Sequence, residues 1–163
     1  MATLADAGAL VALLNRKQDS HREVVTAAKA LVGELVTTCA AFTEAMYLIG
    51  KVLGRPGQER LWGLCSRGTL EVAELPNWDR SEELMQQYRD APMALADATL
   101  VAIAEARGLG SILTLDSHFL AYRFRQGRTV RPFRVLPTAD RQPALGPGGG
   151  RPAPDAGGCA NAF

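Results

Sequence analysis

"LADATLVAIAEARGLGSILTLDSHF", residues 95–119, reads as a helix followed by a strand, with Asp97 in the first turn of the helix and Asp116 directly after the strand. The same juxtaposition recurs towards the N-terminus. "ATLADAGALVALL" sets Asp6 after a short β-competent run, and "VTTCAAFTEAMYLIG" sets Glu44 about two turns into an apolar helix behind the strand "GELVTT". Between these stretches, Ser20 and Glu23 form a capping-box pattern opening a helix over "HREVVTAAKAL". The helix through Glu44 stops at Gly54 with Pro56 beyond. "GQERLWGLCSRG" predicts a further helix, "TLEVAEL" a strand, "RSEELMQQYRD" a helix, "SHFLAYRF" a short helix and "FRVLP" a last strand. Strands spaced by helices pair in parallel through right-handed crossovers, so the expected fold is α/β, an open, mostly parallel sheet with helices on both faces.

At 163 residues with 47% hydrophobic content the chain fits one domain able to bury a core without disulfides. That domain is expected over residues 1–136. From 137 to 163 the sequence "PTADRQPALGPGGGRPAPDAGGCANAF" is rich in Pro and Gly and poor in large apolar residues, the composition of a disordered tail. Three cysteines, Cys39, Cys65 and Cys159, lack the spacing of a disulfide framework or a zinc site. A reducing cytoplasm is the expected compartment, and no run resembles an export leader or reaches membrane-spanning length. The formal net charge of +1 supplies no global attraction to nucleic acid. A local one exists in "YRFRQGRTVRPFR", where Arg123, Arg125, Arg128, Arg131 and Arg134 stand without an acid among them. Phosphate contact and an ordinary solvated surface are both compatible with that strip.

Ligands of open α/β sheets bind at the carboxyl ends of the strands. Asp6 and Asp116 fall at that edge, and Glu44 and Asp97 lie on helices that start or pass near it, so four acids distant in sequence converge. Two carboxylates about 4 Å apart repel by ~4 kcal/mol at a protein-surface dielectric. A cation removes that penalty, and an all-oxygen donor set selects a hard, partly hydrated Mg²⁺ or Mn²⁺. Such an ion suits phosphodiester hydrolysis. Asp97 and Asp116 are also compatible with helix N-caps. Glu44, within a helix between Phe42 and Met46, has no capping role.

These residues, in the contexts "LADAGAL", "TTCAAFTEA", "MALADATLVAIAEA" and "ILTLDSHF", resemble the PIN domain, and within it the VapC-like toxins of toxin–antitoxin pairs, over residues 2–136. The resemblance implies a PIN-like three-layer fold and a Mg²⁺- or Mn²⁺-dependent endoribonuclease acting on single-stranded RNA. Asp6, Glu44, Asp97 and Asp116 would then be catalytic and metal-holding, with Thr38 and Thr114 as polar supports. The implied partners are an RNA substrate, a cognate antitoxin and a second copy of the chain, with no membrane. Arg123, Arg125 and Arg128 are the expected RNA phosphate contacts. Many members carry a further acid where this sequence has Ala94, which leaves the four-acid core intact but weakens the hold on a second metal. A PIN module that binds RNA or a partner without turnover is the main alternative. A phosphatase fits less well, because "AGAL" follows Asp6 without the second aspartate that haloacid-type enzymes use. His118 and His21 are expected to be loop and structural histidines, Cys39 a small core residue, and Trp62 and Trp78 packing residues of the helical segment 57–90.

Overall fold

The computed structural model describes residues 2–91 and 93–137; the predicted tail, apart from Pro137, lies outside the described residues. In chain order the elements are β1 (Thr3–Ala5), α1 (Ala7–Leu14), α2 (His21–Lys29), β2 (Leu35–Thr38), α3 (Cys39–Ser66), β3 (Leu70–Ala73) and α4 (Asp79–Gln87). They continue with α5 (Leu95–Arg107), β4 (Ser111–Leu113), a 3-10 turn (Ser117–Leu120), β5 (Arg123–Gln126), β6 (Thr129–Pro132) and β7 (Arg134–Leu136).

Five strands form one sheet in the order β3-β2-β1-β4-β7, every pair parallel. The central strand is the first in the chain, with Leu4 opposite both Val36 and Ile112. Alternation along the strands feeds two separate cores. Leu4, Val36 and Ile112 pack with α5 and with Phe119, Tyr122 and Phe133, while Ala5, Leu35 and Leu113 pack with Leu10, Val24, Phe42, Ile49 and Leu61 from α1, α2 and α3. Helices therefore cover both faces, as the strand–helix alternation requires. Residues 96–104 of α5 are buried without interruption. That all-round apolar character fits a helix enclosed by the sheet, by α3 and α4, and by β5. Among the described residues no helix is long and apolar enough to cross a membrane.

Three expectations are corrected. The helix expected over "SHFLAYRF" ends at Leu120, and Arg123 opens an antiparallel hairpin, β5 with β6, turned by Gly127 at φ 61°. Period-two burial decides this: Phe124 is buried while Arg123 and Arg125 are exposed, and the Arg125 N–H donates to Glu105 of α5 at 2.9 Å. Ser20 does not close a capping box, because its own backbone is already helical (φ −76°, ψ −3°) and its hydroxyl makes no cap bond. A capping side chain needs an extended residue to swing back over the first turn. Cys39 is exposed, since the chain turns inward one residue earlier, at the fully buried Thr38.

The break expected at Gly54 is present inside α3. Gly54 takes φ 63° and ψ −162°, a region essentially closed to residues with a Cβ, so the helix is two segments joined at a kink. Gly108, past the end of α5, has the milder left-handed φ 66° and ψ 34°. An added Cβ meets no clash at either position, so backbone conformation alone separates them. Gly54→Ala is expected to cost about 1–3 kcal/mol and to exceed the cost of Gly108→Ala in urea unfolding; equal or reversed costs would contradict the kink.

Candidate active site

Asp6 leaves β1 at the carboxyl edge and caps α1, its Oδ1 accepting the Ala7 N–H at 2.6 Å. The register that pairs Ala5 with Leu113 sets Thr114 beside it, and the Thr114 hydroxyl donates to the other oxygen of Asp6 at 2.9 Å. The same hydroxyl oxygen accepts the Asp116 N–H at 2.9 Å. Thr114 thus ties two of the acids together through one buried side chain. Asp116 caps the 3-10 turn, its Oδ1 accepting the backbone N–H of His118 at 2.8 Å, and the His118 ring Nδ1 lies 2.8 Å from the same oxygen, an ion pair when the ring is protonated. His21 is structural, with Nδ1 2.6 Å from the Ala12 carbonyl.

Asp97 occupies the first turn of α5, three residues after Ala94, which stands in the cap position with no side-chain bond. It is 9% exposed and Asp6 is 8% exposed. Glu44 lies on the exposed side of α3, and its charge acts on both Asp6 and Asp97. Among the described residues no Lys or Arg forms an ion pair with any of the four.

The electrostatics follow from that arrangement. Burial pushes the Asp97 carboxyl up to about 7, reinforced by the charges of Asp6, Asp116 and Glu44 and partly opposed by the Ala94 N–H. Asp6 is also raised, by burial first and by Glu44 and Asp116, against the lowering bonds from Thr114 and Ala7. Asp97 feels all three other acids, so the four share one electrostatic neighbourhood.

Thr38 caps α3 through the Ala41 N–H at 3.3 Å and lies 2.7 Å from the Thr99 hydroxyl. Thr99 donates to the Ala96 carbonyl at 2.7 Å, so Thr38 is the donor between the two hydroxyls. That pair pins the start of α3, which carries Glu44, to the start of α5, which carries Asp97. The sequence reading passed over Thr99; its signal was a hydroxyl inside an otherwise apolar helix, two residues from an acid.

Of the arginine strip, Arg123 begins β5 and spends its guanidinium on the carbonyls of Leu120, Ala121 and Tyr122. Arg125 is exposed on β5, and Arg128 is exposed at the hairpin turn, next to Gln126, which lies near Gly108 beyond the end of α5. Trp62 packs edge-on against Phe42 at 5.0 Å, yet it and Trp78 remain more than half exposed.

The PIN-domain family model matches residues 3–125. The chain belongs to the PIN-domain family. Its fold is similar to that of VapC20 of Mycobacterium tuberculosis, described as a sarcin–ricin loop cleaving toxin, with a TM-score of 0.70 and 16% identity over 79% of this chain and 100% of that one. A toxin–antitoxin complex from Klebsiella pneumoniae aligns with a TM-score of 0.55 and 23% identity over 71% of this chain and 87% of that one. PAE2754 from Pyrobaculum aerophilum aligns with a TM-score of 0.51 and 25% identity over 74% and 86%. No curated protein matches the sequence. Within this PIN fold the carboxyl edge of the sheet is where the four acids gather.

Among the described residues no group of three or more His, Cys, Asp or Glu side chains is placed to hold a metal ion. The chemistry of the donors still suits a hydrated one: all four acids offer oxygen, no Lys or Arg among the described residues pairs with them, and Mg²⁺ keeps several of its waters when bound by one or two carboxylates.

A raised carboxyl pKa means that the folded chain binds the proton more tightly than the unfolded one. The stability Asp97 contributes is therefore full below its unfolded pKa of about 3.9 and is lost as pH rises through about 7. In EDTA the melting temperature is expected to fall between pH 5 and pH 8. Asp97→Asn should flatten that slope and melt no lower than wild type at pH 8; a large loss of stability in the variant would make Asp97 a structural residue.

Proposed function

We propose that the protein is a metal-dependent endoribonuclease that hydrolyses phosphodiester bonds of single-stranded RNA, and that it is the toxin of a toxin–antitoxin pair. The observation that carries this reading is the gathering of four carboxylates, without a Lys or Arg partner among the described residues, at the carboxyl edge of a PIN-domain sheet, two of them removed from water. A fold keeps such a site when something cationic visits it. Asp6, Glu44, Asp97 and Asp116 would hold Mg²⁺ or Mn²⁺, which supplies positive charge for a phosphoryl oxygen and an acidified water.

The chain's own groups prepare that chemistry. Thr114 and the Ala7 N–H fix both oxygens of Asp6. His118 fixes one oxygen of Asp116. The Thr38–Thr99 pair sets the distance between the helices that carry Glu44 and Asp97. Asp97, its carboxyl raised to about 7, would have to be charged to hold the ion, which would couple ion binding to pH. An acidic pocket repels RNA, and the exposed arginines of the β5–β6 hairpin, Arg125 and Arg128 in particular, offset that repulsion by holding phosphates.

An antitoxin partner is supported by neighbours described as the Klebsiella pneumoniae toxin–antitoxin complex and as VapBC2 of Rickettsia felis bound to promoter DNA. The charge of the site suits inhibition by an apolar segment that places an Arg or Lys among the acids. The toxin is proposed to act as a homodimer in the cytoplasm. The second reading, a PIN module without turnover, is favoured by the absence of a preformed three-carboxylate cage among the described residues.

Cleavage of a single-stranded RNA pool is expected to require Mg²⁺ or Mn²⁺ and to fall by about 10²-fold or more in Asp6→Asn, Glu44→Gln, Asp97→Asn and Asp116→Asn. Each change removes charge and keeps volume. Full activity in EDTA, or in any two of the variants, contradicts the assignment. Mn²⁺ binding without cleavage of any RNA selects the second reading.

A further inference from the structure

Tyr122 stands within the electrostatic reach of Asp97 and Asp116 and carries a hydroxyl with no assigned role. It follows the 3-10 turn, its N–H bonded to the His118 carbonyl at 3.0 Å. Its ring meets Tyr88 edge-on at 5.0 Å and Phe119 edge-on at 5.2 Å, and lies almost parallel to the His118 ring at 6.2 Å. The side chain is 1% exposed.

Tyr88 and Tyr122 differ at the hydroxyl. The oxygen of Tyr88 accepts the Arg123 N–H at 3.1 Å, whereas that of Tyr122 is buried with no hydrogen-bond partner among the described residues. Leaving such a group unsatisfied costs about 1–3 kcal/mol, and buried tyrosine hydroxyls ordinarily find a partner. Phenylalanine fills the same space without that penalty, so packing does not explain the oxygen.

The charges around it suggest what does. Burial first, and then the charges of Asp97 and Asp116, together push the Tyr122 phenol up to about 12. The group stays protonated at neutral pH and is a donor. It has no surface with which to touch RNA, so its acceptor must be inside the protein. Asp6 has the Thr114 hydroxyl and Asp116 has the His118 ring, but among the described residues Asp97 has no side-chain donor.

We propose that Tyr122 is a positioning residue of the acidic site, its hydroxyl donating across one water to the charged Asp97 carboxylate, the part that Thr114 plays directly for Asp6. A neutral donor orients a carboxylate without cancelling the charge that attracts the cation, which a Lys or Arg in the same place would do. The inference rests on the endoribonuclease reading above.

The test compares wild type with Tyr122→Phe in three measurements: melting temperature in EDTA, Mn²⁺ affinity by titration calorimetry, and kcat and KM on single-stranded RNA. The variant is expected to melt close to or above wild type. It should bind Mn²⁺ about 10- to 100-fold more weakly and lose kcat with KM unchanged. Unchanged Mn²⁺ affinity and kcat, in a protein whose wild type binds and cleaves, overturn the role of Tyr122 and leave the endoribonuclease standing. A variant that melts well below wild type shows a hydroxyl that holds the fold, and overturns it too. Weaker Mn²⁺ binding in the variant, with no cleavage by wild type, supports the positioning role and overturns the endoribonuclease. A wild type that neither binds Mn²⁺ nor cleaves overturns both.

Discussion

Asp6 and Asp97 are held almost out of water, in the field of two further acids and without a Lys or Arg partner among the described residues. The polar architecture at this edge of the fold answers to that constraint. Desolvation alone drives a carboxyl toward its neutral form, and neighbouring negative charge adds to the effect. The compensations are local: a helix N-terminus and a threonine for Asp6, a 3-10 turn and a neighbouring imidazole for Asp116. Those on Asp6 are neutral donors. They orient the oxygens and leave the negative potential in place, which is what a cation-binding pocket needs and what a stability-optimised core avoids.

The geometry is set by the backbone before the side chains contribute. Placing the first strand of the chain at the centre of a parallel sheet brings the end of β1 against the end of β4, so Asp6 and Thr114 become neighbours across 108 positions of sequence. The Thr38–Thr99 contact does the same for two helices that start at the same edge. A guest cation, whether a metal ion or the side chain of an inhibitory partner, would meet one negative potential. On the proposed function the two compete for it, so occupancy by one disfavours the other.

How much of this could be read from residues alone depended on the range of the interaction involved. Apolar runs ending in a single acid marked β1 and β4 and placed Asp6 and Asp116 at the sheet edge, because strand direction and burial are local properties of the pattern. Gly54 and Pro56 marked the break in α3 for the same reason. The hairpin from Arg123 to Pro132 was missed because its one buried side chain, Phe124, sits among arginines and gives a weak period-two signal. The Ser20 pattern had the right residue types but the wrong backbone, which a motif of side chains does not specify. Tyr122 stands near the acids only through tertiary packing, so nothing adjacent in sequence distinguished it from a core residue, and the reach of Thr99 to Thr38 across 61 positions is likewise tertiary.

The central claim is that the four carboxylates form one cation site. Its most direct test is an anomalous-scattering map from crystals grown or soaked with Mn²⁺ at neutral pH. The account predicts a single strong peak at the carboxyl edge of the sheet, between Asp6, Asp97 and Asp116 and within water-bridged reach of Glu44. A saturating Mn²⁺ concentration that leaves this edge without a peak, or that places the ion only at other surface carboxylates, would contradict it.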